Sequence, residues 1–414
     1  MWVIGDSGSP DEDAAVVRDA YLSHPGSEQT DVWLMLGDNA YESGTDAEHQ
    51  AAVFDMYPQL LRNTILWPTR GNHDLLYAGD NNDYYDIFSM PTAGEAGGLA
   101  SGTEAYYSFD FANIHFICLD SHESSLEPSG PMFTWMALDL AATSQDWIIA
   151  YWHHPPYSDG SHKSDDGNKN GGRLRDMREN ALPILEARGV DLVLSGHSHS
   201  YERSFLLDEH YDVSSTLHDS MKVDAGDGSV LGDGAYHKPT LGPAPHEGAV
   251  YMVNGVGSAA RRTTPNHPVM VTSLGSTTGS VVLDINGNQL DAVFIDNTGI
   301  PRDDFTIVKG TVVTAIGKRV QVASPQLLAG APNPFAFSTR LRYTLPSAGW
   351  VNLAIYDVTG RRVASLIDGH QVAGDYTAQW DGRRADGRRV ARGVYFGVLH
   401  FGGEKRTRKI VFVR

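Results

Sequence analysis

Asp31-Val32-Trp33-Leu34-Met35-Leu36-Gly37-Asp38-Asn39-Ala40-Tyr41 runs five apolar residues into a glycine, a carboxylate, an amide and a phenol. A short apolar run closed by Gly-Asp reads as a strand buried on both faces, with polar side chains where it enters a loop. Working outward, the arrangement recurs. Trp2–Gly5 leads into Asp6, and Thr64–Pro68 into Gly71-Asn72-His73-Asp74. Trp147–Trp152 leads into His153, and Val190–Leu194 into Gly196-His197-Ser198-His199. Ile114–Asp120 is a further strand candidate. Between the first two strands a helix is expected to open at Ser9-Pro10-Asp11-Glu12, with Ser9 as its cap and Pro10 as its first residue. Thr45-Asp46-Ala47-Glu48 carries a second capping-box signature. Such alternation predicts an α/β layered core. Strands over Ala249–Val253, Ser280–Asp284 and Asp291–Ile295 are expected to complete a second sheet, and 208–248 reads as a long ordered loop.

The side chains at these strand ends share one chemistry. Carboxylate, imidazole, amide oxygen and phenolate are the ligands that hard and borderline divalent or trivalent cations take. Strand ends are also where α/β folds gather their sites. Any one of the five motifs is weak, because a strand-end aspartate is commonly a cap; five in succession form a pattern.

The order GDxG, GDxxY, GNHD, HxP and GHxH resembles the metallophosphoesterase superfamily. Tyr41, and Ser200-Tyr201-Glu202-Arg203 after the last motif, make it similar to the purple acid phosphatase branch. Other members lack that tyrosine and carry a histidine where this chain has Gly8. The resemblance implies a four-layer α-β-β-α sandwich of two mixed sheets. It also implies two metal ions. Asp6, Asp38, Tyr41 and His199 would hold the first, expected to be Fe(III) from the phenolate. Asp38, Asn72, His153 and His197 would hold the second, which is Zn(II), Mn(II) or Fe(II), with Asp38 bridging. A metal-bound hydroxide would attack phosphorus, with His73 assisting the leaving group and Asp74 holding His73. His162 is expected to face the leaving group too, in preference to its competitor His154. His122 reads as a solvated loop residue, Asp120 as one carboxylate more than the metals need, and Arg203 as a brace for its loop.

The 414-residue chain has a net charge of −19, unevenly shared. From Leu327 onward 14 basic and 6 acidic residues give +8, leaving 18 basic and 45 acidic residues, or −27, in 1–326. The acidic body argues against broad nucleic-acid binding. No run of about 18 uncharged apolar residues marks a membrane span. The lone Cys118 excludes an internal disulfide and reads as a buried, inert thiol. Met1 runs straight into the first strand, leaving no room for a signal peptide in this sequence.

Residues 1–309 are expected to form the catalytic domain, 310–331 a linker, and 332–414 a small all-β sandwich. In that tail, Pro332-Asn333-Pro334-Phe335, Ile355-Tyr356-Asp357-Val358-Thr359-Gly360-Arg361, Trp380-Asp381-Gly382 and Gly393-Val394-Tyr395-Phe396 resemble the FlgD Ig-like domain and the sorting domains of the type IX secretion route. This implies a secreted or cell-surface bacterial protein whose export signal is missing from this sequence, with secretion machinery or the cell surface as partner. The leading expectation is a phosphomonoesterase acting on a small phosphorylated substrate. A phosphodiesterase or nucleotide pyrophosphatase on the same metals stands beside it, as does a surface interaction protein with a structural metal site.

Overall fold

The structure, a computed structural model, describes residues 1–75, 83–230, 232–263, 267–310, 325–327, 333–345, 349–371, 374–384 and 387–413. The chain divides into two compact units, Met1–Val312 and Val313–Arg414. The expected linker, 310–331, lies outside the described residues except at 310 and 325–327, and Asp386 of an expected turn is also outside them.

The first unit is built on two seven-stranded mixed sheets. One runs, edge to edge, Tyr236–Lys238, Pro301–Lys309, Gln289–Asp296, Gly279–Asn286, Trp2–Ile4, Val32–Met35 and Ile65–Pro68. The other runs Met270–Leu274, Tyr201–Ser204, Val250–Asn254, Leu192–Ser195, Trp147–Trp152, Ile114–Cys118 and Tyr107–Phe111. The strands expected after residue 249 therefore do not make one new sheet. Val250–Asn254 joins the second sheet beside Leu192–Ser195, while Gly279–Asn286 and its two successors extend the first in antiparallel pairing.

The parallel pairs place the site. Val3 pairs with Leu34 and Leu34 with Trp67, so Asp6, Asp38 and Asn72 leave one edge of the first sheet together. Trp152 pairs with Ser195, which does the same for His153 and His197 in the second. Burial on both faces explains the unbroken apolar runs of the inner strands, whereas Ile65–Pro68, at the edge of its sheet, leaves Ile65 exposed. Ile149 and Tyr151 join the core containing Trp2, Leu34 and Met252, whereas Ile148, Ala150 and Trp152 pack on the helix Pro131–Ala142 through Phe133 and Met136. The larger of these, such as Ile148, Ile149, Phe133 and Met136, contribute about 1.5–3 kcal/mol each on full burial. Burial also pushes the Cys118 thiol up to about 12, so it stays protonated and inert.

The first helix, Glu12–Leu22, starts later than expected. Asp11 is its cap and accepts from the Ala14 N–H, and Pro10 stays outside it. The Thr45–Glu48 capping box forms as expected. A buried ion cluster ties the far strands in: Asp191 meets Lys238 at 2.6 Å and Lys309 at 2.9 Å.

The second unit holds a three-stranded sheet, Gln326–Leu327, Thr339–Leu345 and Gly374–Trp380, and a four-stranded one, Arg362–Gln371, Gly349–Asp357, Gly393–Phe401 and Glu404–Phe412. Alternation separates its core from its charge. Leu341, Tyr343 and Leu345 are buried while Arg340 and Arg342 are exposed.

Candidate metal centre

Three of the strand-end residues have left-handed backbones: Asp6 at φ 54°, Asp38 at φ 51° and His197 at φ 66°. Such conformations cost about 1–3 kcal/mol in non-glycine residues and persist where surrounding structure imposes them. Here the strands end in abrupt turns that aim all three side chains at the cleft between the sheets. Close loop approach makes the neighbouring glycines obligatory, since a Cβ on Gly71 would overlap the Asp38 carboxylate and one on Gly196 would press on Asp6.

The side chains converge in two sets. Tyr41 Oη lies 3.2 Å from Asp6 Oδ1, 3.3 Å from Asp38 Oδ2 and 3.3 Å from His199 Nε2, and His199 Nε2 is 3.4 Å from Asp6 Oδ1. On the other side, His153 Nε2 lies 3.4 Å from Asp38 Oδ1, 3.2 Å from Asn72 Oδ1 and 3.2 Å from His197 Nδ1. The two oxygens of Asp38 thus face different sets. His153 Nδ1 lies 2.8 Å from the Leu36 carbonyl, which accepts its N–H and leaves Nε2 facing inward. A backbone carbonyl holding one ring nitrogen so that the other faces the site is how metal-ligating histidines are oriented. The donor set of carboxylates, imidazoles, amide oxygen and phenol fits two hard or borderline cations.

Electrostatics follow from burial and these neighbours. Burial lowers the proton affinity of His153, but the Asp38 carboxylate outweighs it and raises the imidazole to about 9. Burial, reinforced by adjacent imidazoles, pushes His197 and His154 well below the ordinary histidine value. Burial and the Asp6 carboxylate hold the Tyr41 phenol well above its usual range, so only a strongly Lewis-acidic cation would displace its proton.

A cavity of about 290 Å³ opens over these donors, and His73, His162 and His154 all line it. His73 donates its backbone N–H to Asp38 Oδ1 at 2.8 Å and sets its ring edge against Tyr41. Its Nδ1 is 2.8 Å from the Glu42 carbonyl, so Asp74 does not hold it. The Asp74 carboxylate points the other way. It accepts the backbone N–H groups of Gly71, Asn39 and Ala40 and the side-chain amide of Asn39, tying two of the motif loops together. His162 lies against His197 with ring centroids 4.0 Å apart, and Asn170 Nδ2 donates to its Nδ1.

Sequence reading missed three wall residues, Asn170 among them. His122, expected in solvent, is half-buried and stacks parallel to His154 at 5.8 Å. Arg173 carries no motif; its one signal is its place directly after the Gly171-Gly172 turn. Asp120 is occupied by Arg70 at 2.7 Å, and Arg203 braces its strand through Asp303 at 2.6 Å.

Parts of the chain are similar to known proteins. Residues 1–201 match the calcineurin-like phosphoesterase family, and 336–396 match the FlgD Ig-like domain. Purple acid phosphatase 22 of Arabidopsis thaliana is 29% identical over 216 residues, covering 49% of this chain and 44% of the relative. Purple acid phosphatase 1 of Ipomoea batatas is 30% identical over 183 residues, covering 41% and 36%. The solved purple acid phosphatase from yellow lupin (Lupinus luteus) seeds has the same fold, with a TM-score of 0.50 at 18% identity, covering 75% of this chain and 53% of that one. The chain therefore spans less than half the length of these curated relatives.

Proposed function

From a calcineurin-like metallophosphoesterase domain with purple acid phosphatase homologues, followed by a FlgD Ig-like domain, we propose a phosphomonoester hydrolase working on two cations. The observation that carries this reading is the pair of donor sets on the two oxygens of Asp38, one of them containing a tyrosine. Asp6, Asp38, Tyr41 and His199 would hold one cation, Fe(III) by the phenolate; Asp38, Asn72, His153 and His197 would hold Zn(II), Mn(II) or Fe(II). Such a pair, when bound, offsets phosphate charge and makes water nucleophilic near neutral pH.

The remaining residues have the protein's own work. Asp74 fixes the loops carrying Asp38 and Asn72. His73, with Nδ1–H committed to Glu42, offers Nε2 to the cavity as the proton donor for the departing alkoxide. His162, with Asn170 on Nδ1, presents an Nε2–H to the same oxygen. The FlgD Ig-like unit serves export or surface attachment, and catalysis belongs to Met1–Val312.

Metal analysis of the purified protein, joined to its visible spectrum and its p-nitrophenyl phosphate turnover, tests this. Two metals per chain, an iron–tyrosinate band lost in Tyr41→Phe, and turnover abolished in His73→Ala at unchanged metal content are expected. A colourless, iron-free, inactive protein would sink the reading.

A further inference from the structure

The wall of the cavity over the cation donors includes an arginine without a carboxylate partner. Arg173 Nε donates to the His122 carbonyl at 2.9 Å and Nη1 to the Asn170 carbonyl at 2.9 Å. These two anchors fix the plane of the guanidinium, and among the described residues nothing accepts from Nη2. Arg70, Arg175 and Arg203 each pair with an acidic side chain; among the described residues Arg173 pairs with none. Of the residues lining the cavity, the one carboxylate is Asp38, which is turned toward the cation sets. A held guanidinium lining a cavity with no counter-charge of its own is an anion receptor, because its fork matches the oxygens of phosphate and carboxylate.

Spacing sets what it can meet. His197, His154 and His122 form a row of rings with centroid steps of 4.3 and 5.8 Å, and Arg173 is anchored on the carbonyl of the last. Arg173 and the donors Asp38, Asn72, His197 and His199 line one cavity, so a single substrate can meet both. Asn170 links the two ends, since its amide holds His162 while its carbonyl holds Arg173.

Resting on the hydrolase reading above, we propose that Arg173 forms a second anion subsite, selecting phosphomonoesters that carry another phosphate or carboxylate able to reach it within the same cavity. The discriminating pairs are 3-phosphoglycerate against glycerol 3-phosphate, and fructose 1,6-bisphosphate against fructose 6-phosphate. One charged hydrogen-bonded contact corresponds to about 10- to 100-fold. The wild-type holoprotein is expected to favour the doubly anionic member of at least one pair by about that factor in kcat/KM. Arg173→Met should erase the preference through KM while changing kcat on glycerol 3-phosphate less than about threefold. Arg173→Lys, which cannot keep both carbonyl anchors, should recover only part of it.

A preference confined to the bisphosphate pair assigns the subsite to phosphate, and one confined to the glycerate pair to carboxylate. Equal loss on all four substrates, or no preference in the wild type, overturns the proposal. Calorimetry with the non-hydrolysable phosphonate analogues of 3-phosphoglycerate and glycerol 3-phosphate separates the two claims. An Arg173-dependent binding preference without turnover overturns the hydrolase and keeps the subsite; turnover without preference does the reverse.

Discussion

Replacing Asp74 by asparagine removes a hinge of the centre without touching a proposed ligand. Its Oδ1 accepts from the backbone N–H groups of Asn39 and Ala40 at 2.8 and 3.2 Å, and its Oδ2 from Gly71 N–H and Asn39 Nδ2 at 2.7 and 3.0 Å. An amide accepts on one atom only. Whichever way the new side chain turns, its NH2 group faces two buried donors and leaves both unsatisfied. At about 1–3 kcal/mol for each orphaned group, Asp74→Asn should cost roughly 2–6 kcal/mol, a large share of the 5–15 kcal/mol typical of a whole domain. Urea unfolding of the metal-stripped protein, followed by tryptophan fluorescence, measures this without linkage from bound cations. Metal affinity should fall as well, since the loops carrying Asp38 and Asn72 lose their tie. An unfolding free energy within about 0.5 kcal/mol of wild type would refute the reasoning. So would a shifted pH–rate profile at unchanged stability, which would instead mean that Asp74 acts through His73.

Asp191→Asn should be destabilised by about 3–5 kcal/mol in the same assay, because Lys238 and Lys309 then face each other buried and uncompensated. His115 lies between Asp110 at 2.7 Å and Asp139 at 2.8 Å; burial opposes its protonation, but these carboxylates prevail and raise its pKa. A raised folded-state pKa adds stability that is complete below the unfolded value of about 6.5 and fades as pH rises through the folded value. The stability gap between wild type and His115→Gln should therefore shrink on going alkaline, and a gap constant from pH 5 to 9 would contradict it. Truncation after residue 310 should leave p-nitrophenyl phosphate turnover within about twofold while abolishing export or surface retention in the host, read by cell fractionation. Retention of the truncated protein at the surface would remove that role from the tail.

What could be read from the sequence is what neighbouring residues encode. The apolar runs at Trp2, Val32, Trp147 and Leu192 predicted strands that are buried, the run at Ile65 predicted a strand that lies at an exposed edge, and the polar groups just after each run predicted a shared edge. That works because parallel strands leave a sheet on one side, so position along the chain translates directly into position in space. The Thr45–Glu48 capping box was legible for the same reason, being closed within a single turn of helix.

Pairings across the chain were settled by the tertiary structure. Asp74 follows His73 in sequence, yet its carboxylate belongs to Asn39, Ala40 and Gly71 because the two loops meet at a glycine with no room for a side chain. Asp11 displaced Ser9 as the helix cap, although both residue types suit that place. His122 left solvent to stack on His154, and Arg173 reached a carbonyl 51 residues away. Each of these contacts joins segments whose local patterns are satisfied without it, and folding of the two sheets onto one core selects them. The strand-end motifs therefore set which donors the site has, and packing alone decided which side chain holds which, and what else faces the cavity.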